Sequence, residues 1–420
     1  MSDKGVYQKT VLKNGLRVIT EKMPAVRSVS LGVWVDVGSR HERPEHNGVS
    51  HFIEHMLFKG TKHRTARQIA AELESIGGNL NAFTSREYTC FAARILDEHL
   101  EIAVDVLADI TCNATLTPPN IRREKMVVCE EIKEAEDNPS DHIHDLFAKT
   151  FWGAHPLGQP ILGTQKIVTG FKRSQIMDFL RSNYRSGSIV IAAAGFISHT
   201  KLVRLAKQKF SFTTGEADKA GQAFRSKGKV VKFAPNTNSQ THLCLGYLGL
   251  EYGTREKMAA LALNTYLGVG MSSVLFQKIR EERGLAYAIY TFHDFYRDVG
   301  VFGAYLGTDK KHLKQAVEII LAELERVKKR RLSQTKLDTI KGQMKGQLAL
   351  SMESTFNRMN RLARQEMMLQ PYQSYKQMLK GVDKITSSQI LELSNRIFDN
   401  SAVAMAVLGP VDKQALDDVL

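Results

Sequence analysis

Two apolar runs in opposite halves of the chain limit its architecture more than any other feature. Ile189–Gly195 reads IVIAAAG and Ala402–Gly409 reads AVAMAVLG. Each is short, free of polar residues, closed by glycine, and followed by a polar turn and a helical pattern. Runs of this length read as buried strands rather than helices, which need ten or more residues. A chain of 420 residues is also too long for one ordinary core, so two domains are expected.

The order of elements between these runs supports a duplication. In the first half, Thr10–Thr20 carries Asn14-Gly15 between two apolar stretches, a hairpin signal, and Ser28–Val37 alternates as a strand. Helical patterns follow at Val49–Lys59, stopped by Gly60, and from the capping-box sequence Thr65-Ala-Arg-Gln68 to Gly77-Gly78. Ala82–Leu96 is strand-like with a turn near Arg86, His99–Ile110 is helical, and Thr117-Pro118-Pro119 opens a helix expected to reach Glu136. A further helix at Thr200–Phe210 follows the first apolar run. The second half repeats strand, helix, two alternating segments and helix at Thr241–Gly249, Arg255–Leu267, Ala286–Tyr290, Gly300–Leu306 and Lys311–Val327. A polar, weakly periodic stretch separates the halves. The division expected is a first domain at 1–212, a linker at 213–232 and a homologous domain at 233–420.

Composition is that of a globular protein, 43% hydrophobic and 24% charged, with a mean hydropathy of -0.24. No run approaches the roughly 18 apolar residues that span a bilayer. The first residues lack both the apolar core of a signal peptide and the bias of a transit peptide. Cys90, Cys112, Cys129 and Cys244 form no C-x-x-C pair, as expected of buried thiols in a reducing, cytoplasmic compartment. The net charge of +14 is spread along the chain. Its densest group, Lys328-Lys329-Arg330-Arg331, follows an amphipathic stretch and reads as a solvated helix end, so neither nucleic acid nor membrane is an expected partner.

The chemistry concentrates at His51-Phe-Ile-Glu54-His55. Residues four apart share a helix face, so His51 and His55 can present two imidazoles to one ion, with Glu54 on the adjoining flank. There a carboxylate can bond a metal-held water without displacing it. The order H-x-x-E-H is the inverted form of the H-E-x-x-H zinc signature. A catalytic zinc site takes three protein ligands and leaves one position open. The proline-capped helix offers candidates for the third. Glu124 and Glu131 lie two turns apart on one face, with Glu130, Glu134 and Glu136 nearby, and spacing does not choose among them. A surface helix making salt bridges would carry the same residue types, but the apolar Phe52, Ile53, Met56, Leu57 and Phe58 imply burial, and buried imidazoles need partners. The second half has no such pentad.

From His51 through Thr61 the sequence resembles the zinc helix of the pitrilysin family of metallopeptidases. The resemblance continues through Gly77-Gly-Asn-Leu-Asn-Ala-Phe-Thr-Ser-Arg-Glu87, Val127–Lys133 and His155-Pro-Leu-Gly158, at ordered spacings over most of the chain. It implies two similar α+β domains, each a mostly antiparallel sheet with helices on one face, closing as a clamshell over unfolded segments. It implies one zinc ion. The family's third ligand lies 76 positions after the second histidine, which selects Glu131, and a second family glutamate matches Glu124, suited to orienting a ligand imidazole. An Arg and Tyr seven apart in the family's second domain match Arg280 and Tyr287. The glycine-rich loop of the non-catalytic processing-peptidase subunit is reduced to Gly268-Val-Gly270.

The resemblance also implies roles. His51, His55 and Glu131 hold zinc, Glu54 is the general base, Tyr287 bonds the oxyanion and Arg280 positions the peptide. Asn79, Asn81, Ala82, Phe83 and Thr84 match the edge strand that takes substrate as an added strand. The expected activity is zinc-dependent cleavage of peptides or presequence-like segments, as a monomer or homodimer. The alternatives are a non-catalytic core subunit of the same fold and a subunit that needs a partner chain.

Overall fold

The computed structural model of the chain describes residues 6–219, 223–224, 228–235, 239–411 and 416. The chain forms two compact α+β units, and neither is continuous in sequence. The first holds Met1–Lys133, Gln159–Gly221 and Leu350–Ser374; the second holds Glu134–Gly158, Gln222–Ala349 and Tyr375–Leu420.

The sheet of the first unit contains β1 (Tyr7–Val11), β2 (Arg17–Lys22), β3 (Ser28–Val35), β4 (Asn79–Thr84), β5 (Thr89–Leu96) and β6 (Ile189–Gly195), in the spatial order β1-β2-β6-β3-β5-β4. Only β2 and β6 run parallel. The Asn14-Gly15 turn joins β1 to β2, with Gly15 at φ +89° and the Asn14 side chain accepting from the Leu16 amide. Alternation along the central strands sorts side chains to two cores. Val29, Leu31, Val33, Phe91, Ile95, Ile189 and Ile191 face one layer of helices, including Val49–Leu57, Leu100–Asn113 and the first turns of Pro118–Asp137. Trp34, Cys90, Ala92, Val190, Ala192 and Ala194 face a single helix, Thr355–Met367, through Met359, Leu362, Ala363 and Met367. With both faces covered, β6 is apolar throughout and β3 is apolar but for Ser28 and Ser30. That helix is also held by charge: buried Glu21 pairs with Arg358 and Arg361, and Glu366 pairs with Lys9 and Arg17.

The second unit repeats this plan. Its strands are β7 (Val230–Pro235), β8 (Thr241–Gly249), β9 (Ala286–Phe295), β10 (Gly300–Thr308) and β11 (Ala404–Gly409), in the order β7-β11-β8-β10-β9. Only β7 and β11 run parallel, so the order and sense of β2-β6-β3-β5-β4 are reproduced strand for strand. One face packs on the helices at Lys257–Gly268, Leu313–Lys329 and Ser387–Ile397. The other face, with Cys244, Val301, Tyr305 and Ala406, packs on one helix, Pro139–Trp152, through Ile143, Phe147, Phe151 and Trp152. Each half of the chain thus gives one helix to the sheet of the other half. Matching glycines admit both: a Cβ at Gly32 in β3 would stand 3.0 Å from Met359 Sδ, and one at Gly246 in β8 would stand 2.5 Å from Phe147 Cζ.

The helix after Pro118 ends at Asp137, and Pro139 starts a new one with Asn138 as its cap rather than a loop. Within the stretch 213–232, Ala217 donates to Ser188 and Lys219 pairs with Asp36, both in the first unit, whereas Val230 already opens β7. Residues 220–222 and 225–227 of that stretch lie outside the described residues, as does most of the helix expected after Gly409. No helix among the described residues is long and apolar enough to cross a membrane.

Candidate metal centre

The Val49–Leu57 helix turns an apolar face to the first core and projects its histidines the other way. His51 Nε2 and His55 Nε2 are 3.2 Å apart, and Glu131 Oε2 of the Pro118–Asp137 helix lies 3.7 Å and 3.4 Å from them. Three ligand atoms around zinc, at bonds of about 2.0–2.1 Å in tetrahedral geometry, stand roughly 3.3–3.4 Å apart. The three separations bracket that edge length. Glu131 Oε2 is buried with no hydrogen-bond partner, so the oxygen is placed for something other than a proton donor of the protein. Among the described residues, this trio is the one group of acids, histidines and cysteines close enough to hold a metal ion. The donor set and its spacing fit zinc.

The electrostatics fit as well. Burial, reinforced by the neighbouring His55, pushes the His51 imidazole down to about 3, so it is neutral and able to ligate. Burial pulls His55 the same way, but the hydrogen bond to Glu124 and the charges of Glu131 and Glu54 outweigh it, and its net shift is upward. Glu124 is 1% exposed; its Oε1 lies 2.8 Å from His55 Nδ1 and its Oε2 faces Lys59 Nζ at 3.0 Å. A carboxylate there keeps the proton on Nδ1 and the lone pair of Nε2 free. Glu130 points elsewhere, exposed and paired with Lys133 at 2.7 Å, and Glu134 and Glu136 are exposed.

Glu54 stands on the same helix between the histidines. Burial raises its carboxyl above the ordinary range, Glu131 adds to the rise, and the Thr84 hydroxyl, donating to Oε2 at 2.6 Å, opposes it. Thr84 closes β4, an edge strand that among the described residues pairs with β5 alone. The segment Asn79–Thr84 therefore offers one open backbone edge beside the helix of the histidines. Its side chains divide by face. Leu80 and Ala82 pack on the first core, Phe83 packs edge-on against Trp34, and Asn79 and Asn81 are exposed. The Asn81 amide oxygen accepts from the Ala82 amide, its own neighbour.

In the second unit, Arg280 is exposed on the turn Phe276–Glu281, its guanidinium 4.8 Å from the Phe276 ring centre. Tyr287, the second residue of β9, is 76% exposed. Gly268 of the short Gly268-Val-Gly270 sequence is explained by packing, since a Cβ would stand 2.3 Å from the Thr291 amide nitrogen.

Residues 17–165 match the family described as Insulinase (Peptidase family M16), and residues 170–344 match Peptidase M16 inactive domain. The chain is 40% identical over 406 residues to the uncharacterized zinc protease YmxG of Bacillus subtilis, covering 96% of this chain and 98% of that one. The chain belongs to the M16 peptidase family. Another relative, an uncharacterized zinc protease of Rickettsia bellii, is 37% identical over 409 residues, covering 96% of this chain and 98% of its own length. In fold, the chain matches a protease from Helicobacter pylori at a TM-score of 0.90 with 22% identity, over 96% of this chain and 99% of that one. A peptidase M16 inactive domain from Pseudomonas fluorescens matches equally, at 0.90 with 20% identity over 97% and 98%. The M16 match that begins at residue 17 contains His51, Glu54, His55, Glu124 and Glu131, and the inactive-domain match contains Arg280 and Tyr287.

Two residues near the trio make contacts that the sequence pattern did not point to. Thr84, expected in the strand that pairs with substrate, also donates its hydroxyl to Glu54. Glu42 was not singled out at all. It is buried and accepts from the Gly48 and Ser50 amides and the Asn47 side chain, all at the start of the histidine helix. Burial pushes its carboxyl up to about 7 while these donors favour the ionised form. Gly48 precedes the helix without a capping side chain, which calls for an acceptor from elsewhere but does not single out Glu42.

Proposed function

We propose that the chain is a zinc-dependent endopeptidase. The observation that carries this reading is the convergence of His51 Nε2, His55 Nε2 and Glu131 Oε2, with Glu54 on the same helix hydrogen-bonded to the end of an open strand edge. Zinc held by these three residues would supply a Lewis acid for a peptide carbonyl and would make water acidic enough to lose a proton near neutral pH. Glu54 accepts that proton and returns it to the departing amine; its upward-shifted carboxyl suits both steps. Thr84 keeps the Glu54 carboxylate turned one way, and Glu124 fixes the tautomer of His55.

A substrate strand added to β4 pairs through main chain and so demands little of its sequence, which suits extended or unfolded peptides, presequence-like segments among them. The relatives named zinc proteases support the metal and the reaction class. The family resemblance further assigns the oxyanion bond to Tyr287 and peptide positioning to Arg280. We place the protein in the cytoplasm, acting without nucleic acid or membrane, as a monomer or homodimer.

The test uses the single purified chain. Cuts in an unstructured peptide library are mapped by mass spectrometry, with and without a chelator, for wild type and Glu54→Gln. Cleavage by wild type alone, with zinc retained by both proteins, is expected. Wild-type turnover by Glu54→Gln overturns the role of Glu54, and chelator-resistant cleavage overturns the metal.

A further inference from the structure

The helix that carries His51 and His55 begins with a defect. Its first residues present amides with no intrahelical acceptor, and Gly48, at the cap position, has no side chain to meet them. Glu42 fills that place from six residues upstream. Oε2 accepts from the Gly48 amide at 2.7 Å and from Asn47 Nδ2 at 3.0 Å, and Oε1 accepts from the Ser50 amide at 2.7 Å. The carboxylate is 5% exposed, and among the described residues no basic side chain pairs with it. Its charge is balanced by amide donors and the positive end of the helix. None of the three donors could accept a carboxyl proton.

The surroundings are equally constrained. Gly48 has φ +93°, and a Cβ there would stand 2.6 Å from Leu162 O. Gly163 has φ +77°, and a Cβ there would stand 2.4 Å from Asn47 O. Asn47 also donates to Pro160 O at 3.0 Å. On its other side, the Glu42 segment is fixed to the turn after β4. The Ser39 and Arg40 amides donate to the Ser85 and Arg86 carbonyls, and Arg40 pairs with buried Glu87 at 2.7 Å. The four residues from Ser39 to Glu42 thus join the start of the histidine helix to the turn beside Thr84, the partner of Glu54.

We infer that Glu42 is a positioning residue of the metal centre: its carboxylate sets the first turn of the helix and thereby the place of the His51 imidazole relative to His55 and Glu131. The inference rests on the zinc reading above. His51 is the residue after Ser50, whose amide Glu42 holds, so fraying of that turn moves His51 first and leaves His55, a turn further on, in place. An amide at position 42 keeps one acceptor and turns a donor toward backbone donors, which loosens the turn.

The experiment compares zinc affinity, by competition with a chromophoric chelator, and amide hydrogen exchange over residues 48–55 in wild type and Glu42→Gln. Outer partners of metal ligands are worth about 10–100-fold in affinity, and a loss in that range is expected, with faster exchange at Ser50 and His51. Peptidase activity of the variant should recover when zinc is raised to saturation. Glu42→Asp, which keeps the charge but is one methylene short, should fall between the two, and it carries the test if Glu42→Gln does not fold. Zinc affinity equal to wild type in a folded variant overturns the inference while leaving the metal centre intact. A wild-type chain that binds no zinc overturns both.

Discussion

Glu124 makes a demand that an isosteric amide cannot meet, and the consequence can be worked out from two distances. Its Oε1 is 2.8 Å from His55 Nδ1 and its Oε2 is 3.0 Å from Lys59 Nζ. The ammonium of Lys59 only donates. In Glu124→Gln the amide oxygen therefore turns to Lys59, and the NH2 group faces His55 Nδ1. His55 can accept there only by moving its proton to Nε2, the nitrogen that faces His51 and Glu131. The alternative rotamer turns a donor toward Lys59, whose side chain is 35% exposed, and leaves the buried amide group without an acceptor there. Either arrangement costs about 1–3 kcal/mol, the penalty of one unsatisfied polar group. At about 1.4 kcal/mol per tenfold, zinc affinity should fall roughly 5- to 150-fold. The conflict has a specific remedy. Lys59→Met in the Glu124→Gln background removes the competing donor, lets the amide oxygen accept from His55, and should recover most of the loss, although the same change in wild type leaves Glu124 without its cation and weakens binding. Chelator competition on the four proteins of this cycle gives the answer. A Glu124→Gln variant that binds zinc like wild type, or a Lys59→Met change that acts alike in both backgrounds, refutes the tautomer argument.

Two further outcomes follow from groups outside the candidate site. Glu21→Gln leaves Arg358 and Arg361, whose side chains are 22% and 14% exposed, without their shared carboxylate; breaking one buried pair costs about 3–5 kcal/mol. Scanning calorimetry should show the first unit melting roughly 6–20 °C lower, and a drop under 2 °C contradicts the clamp. In the second unit, burial and then the charge of Lys257 push His293 down to about 3 while its Nε2 accepts from the Leu250 amide. Below the unfolded value near 6.5 the unfolded chain takes up a proton that the folded chain refuses, so this contribution is whole above pH 6.5 and is lost as pH falls. The slope is at most about 1.4 kcal/mol per pH unit. The difference in urea stability between wild type and His293→Gln, measured from pH 7 to 4, should shrink toward acid; a constant difference removes His293 as the source.

Sequence and structure agree best where the physics is local. The hairpin at Asn14-Gly15, the capping box at Thr65 and the two apolar runs at β6 and β11 depend on neighbours in the chain, and each appears where expected. His51 and His55 were legible because four residues make one helical turn. Glu131 was not, until family spacing was added, because five glutamates share its helix; the structure brings its oxygen to the histidines and turns Glu130 to solvent. Thr84 and Glu42 were illegible for a different reason. Their partners lie across a sheet edge or beyond a loop, and nothing in the residue pattern distinguishes them from a strand threonine and a loop acid. Nor does an amphipathic helix announce which sheet it will cover. The pattern of Thr355–Met367 is the same whether it packs on its own half or the other.

That last feature governs how the protein must be made. As the chain leaves the ribosome, the strands of the first sheet emerge early, but Ile19, Trp34, Val190 and Ala192 have no cover until Met359 and Leu362 have been synthesised. Meanwhile Phe147 and Phe151, already translated, wait for β8 and β11. Neither unit can finish folding before most of the chain exists, and both nascent halves expose apolar surface throughout that interval. A stop between the halves would leave the first sheet without Thr355–Met367 and the helix Pro139–Trp152 without its sheet.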